Sequence, residues 1–338
     1  MVNIGIIGLG SMGMTHLKAY GLQGGNVRVV AIADVKFADA TAILGRAGNI
    51  AGQAAEVCLD AFSKYTTAEA LLADPRVHAV DICAPTHAHK ELAIMAIRAG
   101  KSVLVEKPLA RTAADACAVA EAARDAGIFL MPAHCMRFWP GWDWLKTAVE
   151  ERRYGAVQSA TFTRVGAKPG DAFYNNGAAC GGAHLDLHIH DTDFVLHLFG
   201  LPSSVTSFGR KGESGAVEHT LTHYHFDGTD ALVVAEGAWT RESEKRPFIM
   251  RYSVTFERAT ATYVFGDSPA LTLYQPGHDP VPVALASTLG YDGEIAEFVR
   301  CVETARPSDR VTATDGFNAL RIIEAELRSI ETGQTVSL

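Results

Sequence analysis

Two short stretches of this chain carry side chains able to move a proton or hold charge at a reacting centre. Glu106-Lys107-Pro108 follows the apolar run 102–105. An ammonium at the end of such a run can donate to an oxygen that gathers negative charge. Gly181-Gly182-Ala183-His184-Leu185-Asp186-Leu187-His188-Ile189-His190-Asp191 leads into a helical segment closed by Gly200 and Pro202. An imidazole there titrates near working pH, so it can take a proton and return it. The same run admits a second chemistry. His184 and His188 stand four apart with Asp186 and His190 nearby, a ligand set that a zinc ion accepts. The glutamate base that usually accompanies such spacing in zinc hydrolases is missing, and a place after a dinucleotide fold suits hydride chemistry better.

These groups need a frame, and the first residues begin it. Gly8-Leu9-Gly10-Ser11-Met12-Gly13 follows the apolar run 2–7, a short buried strand, and opens a helix over 11–20 with Met14, Leu17 and Ala19 or Tyr20 turned inward. Gly8 permits the tight turn, Gly10 lets the backbone approach a pyrophosphate, and Gly13 lets helix close on strand. The helix N-terminus offers unpaired N–H groups and partial positive charge to the phosphates. A second strand, 27–33, ends in Asp34 about 20 residues past the last glycine, where dinucleotide folds place an acid. The pattern predicts dinucleotide binding.

Residues 1–130 continue this alternation. A helical stretch at 53–62 precedes a capping box, Thr66-Thr67-Ala68-Glu69, which opens a helix carrying Leu71 and Leu72. Strands follow at 77–83, 102–105 and 128–131, with helices at 89–99 and 112–126 stopped by Gly100 and Gly127. Apolar strands separated by helices imply a doubly wound parallel sheet covered on both faces. Residues 131–338 read differently. A helix at 144–152 leads into strands at 157–165, 204–208, 218–226, 231–239, 248–256 and 261–265, interrupted by a helix at 190–199 and closed by helices at 294–304 and 314–332. Short polar turns between the strands suggest an open antiparallel sheet. The fold class is an α/β Rossmann domain followed by an α+β domain.

Composition bounds the function. The 338 residues, 48% hydrophobic, suffice for two cores. A net charge of −8 without a dense Lys/Arg block argues against nucleic acid as a partner. No apolar run reaches the roughly 18 residues that span a bilayer, and Met1 runs almost at once into the first strand, with no signal peptide. Six cysteines, Cys58, Cys83, Cys117, Cys135, Cys180 and Cys301, lack CxxC spacing and read as reduced thiols. The expectation is a cytoplasmic protein.

Together with Ala84-Pro85-Thr86-His87-Ala88-His89, Gly100-Lys101-Ser102-Val103-Leu104-Val105-Glu106-Lys107-Pro108-Leu109 and Arg137-Phe138, the motifs above make nearly the whole chain resemble the glucose–fructose oxidoreductase / inositol dehydrogenase (Gfo/Idh/MocA) family. The resemblance implies a Rossmann domain followed by an open antiparallel sheet, and a homodimer or homotetramer formed through that sheet's exposed face. It implies NAD as cofactor and a secondary alcohol of a sugar, cyclitol or sugar derivative as substrate. Lys107 would then lie against nicotinamide and substrate, Asp186 would contact substrate hydroxyls, and His190 would carry the proton. His188 stands where the family usually has glycine, and would narrow the pocket or contact substrate.

Other residues enter with two readings each. Ala84, Pro85 and Thr86 would pass beneath the cofactor, beside Glu106; His89 would touch it or hold the fold. Arg137 would lie near the nicotinamide or anchor the domain junction. Trp139, Trp142 and Trp144 would stack on a sugar or fill an interface. Asn175 and Asn176 would bind hydroxyls or shape a loop, and Lys168 would reach the same site. His16 reads as a packing or hydrogen-bonding residue. Asp34 should favour NAD over NADP, with Lys36 softening the preference. Two alternatives keep the dinucleotide: a non-catalytic sensor, whose mark would be loss of Lys107 or His190, and a glycoside-processing enzyme with tightly held NAD(H).

Overall fold

Val-, Ile- and Ala-rich runs bounded by glycine and aspartate set the first sheet of the computed structural model, which describes residues 1–38, 59–240 and 248–338. Cys58 and the first part of the helical stretch expected at 53–62 lie outside the described residues. The strands are β1 (Val2–Ile7), β2 (Val27–Ala33), β3 (Ser63–Tyr65), β4 (Ala79–Ile82), β5 (Ser102–Glu106) and β6 (Leu130–Ala133). The helices among them are α1 (Ser11–Leu22), α2 (Ala68–Leu72), α3 (His89–Arg98) and α4 (Ala113–Ala126). Among the described residues the sheet is parallel, in the order β3-β2-β1-β4-β5-β6. The order reverses between β1 and β4, so the carboxyl ends of those strands flank the crevice where such sheets bind ligands. Local signals place the helix ends. Thr112 caps α4 and Gly127, at φ +64°, closes it. The cap of α2 falls on Thr67, whose hydroxyl accepts from the Ala70 N–H, so Glu69 sits in the first turn and closes no reciprocal box.

The second sheet holds β7 (Val157–Ala167), β8 (Ser204–Lys211), β9 (Val217–His225), β10 (Leu232–Thr240), β11 (Ile249–Phe256), β12 (Thr260–Val264), β13 (Leu271–Tyr274), β14 (Val281–Pro282) and β15 (Val336–Ser337). Its order is β14-β13-β12-β11-β7-β10-β9-β8-β15. Every pairing is antiparallel except β7 with β10, so the sheet is mixed. Burial alternates along β9 and β11, the mark of a sheet covered on one face. Helices α5 (Pro140–Glu150) and α7 (Ile189–Phe199) belong to the same unit, as does the short α6 (Gly177–Cys180). Trp142 of α5 is fully buried, edge-on to Phe194 at 4.7 Å and to Tyr252 at 5.4 Å, and tilted on Phe162.

The two compact units are not the single cut at residue 130 that the sequence suggests. One comprises Met1–Phe138 and Leu289–Phe317, the other Trp139–Thr288 and Asn318–Leu338. Helix α8 (Gly290–Thr304), read as a closing helix of the later domain, returns to the first because Ile295, Phe298 and Val299 join the same core as Ile4, Leu17 and Phe138. Helix α9 (Ala313–Thr332) starts in the first unit and continues in the second. Among the described residues, no helix is long and apolar enough to cross a membrane. Replacing Trp142 with alanine should cost about 3–5 kcal/mol, because the aromatic cluster cannot close over the void. Denaturant unfolding checks this, and a midpoint equal to the parent chain's would show that the cluster does not hold the second unit.

Candidate active site

The first unit gathers the dinucleotide residues at one edge of its sheet. Gly8 holds φ +94°, and a Cβ there would stand 2.8 Å from the Cys83 carbonyl oxygen. A Cβ on Gly13 would stand 2.1 Å from the Gly8 carbonyl oxygen, so only glycine lets α1 lie this close to the turn. A Cβ on Gly10 would meet nothing within 4 Å, which leaves its backbone open to a ligand. Gly10 is also the N-cap and has no side chain to offer, so the N–H groups of Ser11, Met12 and Gly13 are presented without a side-chain cap. This cradle fits a pyrophosphate.

Asp34 stands at the end of β2, half-buried, with both oxygens tied to backbone: Oδ2 accepts from the Leu9 N–H at 2.7 Å and Oδ1 from the Lys36 N–H at 2.8 Å. The acid therefore fixes the glycine turn and keeps spare lone pairs on both oxygens for ribose hydroxyls. Ala84, Pro85 and Thr86 follow β4 at the same edge, with Pro85 capping a 3-10 turn.

Two expected cofactor residues face inward. His89 is buried, with Nδ1 2.7 Å from the Pro108 carbonyl oxygen and Nε2 2.7 Å from that of Ala84. Burial pushes its pKa down, against the two carbonyls, which favour the charged ring. Its ring ties the loop after β4 to the segment after β5, the structural of its two readings. Glu106 is buried too: Oε2 accepts the Lys107 N–H at 2.9 Å and Oε1 lies 3.2 Å from His16 Nε2. Burial would raise its pKa, but His16, with Lys107 and His89, outweighs this and holds the carboxyl below its usual range. Lys107 itself is half-buried, and its peptide bond to Pro108 is cis.

Arg137 also departs from the substrate reading. It is 2% exposed, donates to the Arg310 carbonyl at 2.7 Å and lies 3.4 Å from Asp315, which pins the returning segment to the first unit.

In the second unit, Gly181 and Gly182 take φ +79° and +73°, a double left-handed turn that feeds a single π-type turn, His184–His188. From 182 to 196 every residue is buried except Asp186 and His190, which are half-buried. They stand four apart, Asp186 in the π-type turn and His190 in the first turn of α7. The others of the cluster make buried contacts. His184 Nδ1 lies 3.1 Å from Thr220 Oγ1 and Nε2 2.9 Å from the Ile323 carbonyl oxygen, and burial lowers its pKa. Asp191 makes a buried two-pronged pair with Arg164, at 2.8 and 3.0 Å.

His188 is fully buried, 3.4 Å from Glu326 and 3.3 Å from the Tyr224 hydroxyl. Gly237 makes room for it, since a Cβ there would lie 2.7 Å from His188 Cβ. The expectation of a pocket-lining ring is therefore corrected: the turn sends positions 184 and 188 to the interior. Among the described residues, His184, Asp186, His188 and His190 do not bring three ligand atoms within 4.8 Å of one another, although the rings of His184 and His188 stack at 5.8 Å.

Trp139, 4% exposed, packs edge-on to Phe265, and Trp144 lies against Tyr154, so neither reads as a sugar platform. Asn176 is exposed and its Oδ1 caps α6, accepting from Ala178 and Ala179. Lys168 is paired with Glu218 at 2.8 Å. Sequence reasoning missed Asp81, Glu294 and Glu326, all fully buried. Asp81 had a signal, a carboxylate inside the apolar strand Ala-Val-Asp-Ile.

Residues 2–134 match the oxidoreductase family with NAD-binding Rossmann fold (GFO/IDH/MocA), and residues 142–262 match the GFO/IDH/MocA C-terminal domain. Inositol 2-dehydrogenase of Rhizobium meliloti is 28% identical over 100% of this chain and 99% of its own length. The scyllo-inositol 2-dehydrogenase (NAD(+)) of Bacillus subtilis is 28% identical over 67% of this chain and 64% of its own. Among solved structures, levoglucosan dehydrogenase in complex with NADH and levoglucosan superposes with a TM-score of 0.82 at 21% identity, covering 99% of both chains.

Restoring glycine at position 188 strips Glu326 of a neighbouring ring and opens a void. His188→Gly should destabilise the chain by about 3 kcal/mol, the usual cost of removing one partner of a buried charged pair. Thermal unfolding reads this; a variant of parental stability with altered substrate preference would return His188 to the pocket.

Proposed function

The chain belongs to the GFO/IDH/MocA family of oxidoreductases, and we propose that it passes a hydride between a secondary alcohol carbon of a sugar, cyclitol or sugar derivative and NAD. The observation that carries this reading is the Asp186–His190 pair: two groups fit for hydroxyl chemistry are the only ones left half-open in a buried run. His190 takes the hydroxyl proton during oxidation and returns it in reduction. Asp186 accepts a hydrogen bond from a substrate hydroxyl and orients it. The Lys107 ammonium donates to the reacting oxygen and stabilises its alkoxide character. NAD, when bound, supplies the hydride acceptor; the Gly8–Gly13 turn and Asp34 would hold its pyrophosphate and adenosine ribose. The inositol dehydrogenases among its relatives support a polyhydroxylated substrate.

The same reading includes a cytoplasmic enzyme, supported by free cysteines at all five described positions. It includes association of copies through the second sheet. There Phe208 and Leu221 are directly opposed, and both they and Leu232 are exposed.

Lys107→Ala should lower kcat on the order of 10²-fold with NADH binding retained, as removal of a donor to developing charge does. Oxidation of the parent chain should rise with pH as an imidazole base loses its proton, and His190→Ala should abolish most turnover and flatten that limb. Stopped assays with a panel of inositols and anhydrosugars across pH decide the matter; near-parental turnover in either variant refutes its role. The cofactor choice is tested separately. Asp34 should repel a 2′-phosphate, giving NAD at least roughly a tenfold advantage in kcat/KM. Equal use of NADP, or an Asp34→Ser chain that gains none, would show that another residue reads the ribose.

A further inference from the structure

His16 lies on α1, the helix that opens at the glycine turn, and is fully buried. Its Nδ1 is 2.9 Å from Asp81 Oδ2, and its Nε2 is 3.2 Å from Glu106 Oε1 and 3.7 Å from Glu294 Oε1. Those acids come from β4, β5 and α8. Cys83 Sγ sits 3.5 Å from Nδ1, and the Tyr291 ring centroid 6.3 Å from that of His16. Tyr20, on the same helix, completes the titratable groups around it. Burial alone would lower the pKa of His16, but Asp81 and then Cys83 outweigh it and hold the imidazole well above its ordinary value.

A buried ionic cluster is a poor way to gain stability, since apolar side chains of similar volume serve packing as well or better. Its connections are more informative. The oxygen of Glu106 that does not face His16 accepts the Lys107 N–H. Two contacts thus link the helix behind the phosphate cradle to the backbone of the proposed catalytic lysine, all within one compact unit.

We propose that His16 is a positioning residue: it pins Glu106, and through Glu106 it fixes Lys107 relative to the glycine turn of α1. The inference rests on the reading of Lys107 given above, but it concerns the placement of that side chain and can be tested without turnover. Competitive labelling of the full chain with acetic anhydride across pH, read by mass spectrometry, reports the reactivity and titration of each lysine. His16→Gln and Glu106→Gln should each change Lys107 labelling by about tenfold, because each breaks the close pairing of two buried charged groups. The double variant should add little to either single change, because both act through one contact. Lys101, at the opposite end of β5, is the internal control and should label as in the parent. Glu106→Gln keeps size and one acceptor oxygen, so it remains informative if His16→Gln does not fold. An NADH fluorescence titration completes the test, with binding retained in the Glu106→Gln chain.

Unchanged Lys107 labelling alongside a lowered melting temperature would make His16 a structural residue and overturn the proposal. So would changes that add in full in the double variant. His16, Asp81 and Cys83 also bring three possible ligand atoms within 4.8 Å of one another. If chelation alters Lys107 labelling and zinc restores it, that trio holds a metal and the positioning role fails. Should labelling respond as proposed while Lys107→Ala turns over normally, His16 still positions Lys107 and only the catalytic reading of the lysine fails.

Discussion

One close approach of backbone to backbone in the first unit governs what surrounds it. Helix α1 comes near enough to the turn after β1 that a methyl group on Gly13 would stand 2.1 Å from the Gly8 carbonyl oxygen, well inside van der Waals contact distance. That approach aims the helix N-terminus across the carboxyl edge of the sheet. It also carries His16, one turn further on, down between β4 and β5, within reach of Asp81 and Glu106. One steric condition therefore sets two things: a cradle for phosphate outside and an ion cluster inside. Asp34 reinforces the first by holding the Leu9 N–H.

Much of the first unit was legible because its signals are local. Strand β2 spans the residues that periodicity assigned, and α4 begins after Thr112 and ends before Gly127 as its cap residues dictate. The acid at position 34 was found by spacing alone. The return of Leu289–Phe317 was not legible: the amphipathic pattern of α8 shows that it buries a face but not against which sheet. The parallel pairing of β7 with β10 escaped for a related reason. Strands joined by short turns suggest hairpins, and β10 instead lies between β9 and β7. Strands β13, β14 and β15 are too short to rise above the background of polar turns.

At the candidate site, residue types were easier to read than directions. Asp186 and His190, singled out by their four-residue spacing, are the two half-open positions of a buried run. Nothing in the sequence showed that a π-type turn lies between Gly182 and Ile189, and such a turn rotates side chains away from α-helical expectation. His188 reads as a pocket residue because it adds a ring where the family usually has glycine, yet that ring is buried beside Glu326. Arg137 carried two readings, nicotinamide or anchor, and spacing could not choose between them; its guanidinium meets a carbonyl and Asp315 in the same unit, as an anchor does.

The two units meet the same difficulty, a carboxylate in an apolar interior, with one device. In the first, Glu106 and Asp81 share the ring of His16; in the second, Glu326 is met by His188, Tyr224 and Thr192. For both glutamates burial is the largest influence and would raise the pKa, but the neighbouring groups together, a histidine foremost, hold both carboxyls below their usual range. The difference lies in where the second oxygen of each acid leads. That of Glu106 reaches the backbone of Lys107, at the edge where ligands bind. Glu326 is met by Thr192 and, through it, by α7, two residues beyond His190. Each buried acid thus grips the element that carries a proposed catalytic side chain. Anchors placed so near the reacting groups restrict those elements more tightly than apolar packing, because a hydrogen bond to a charge is directional and costly to stretch.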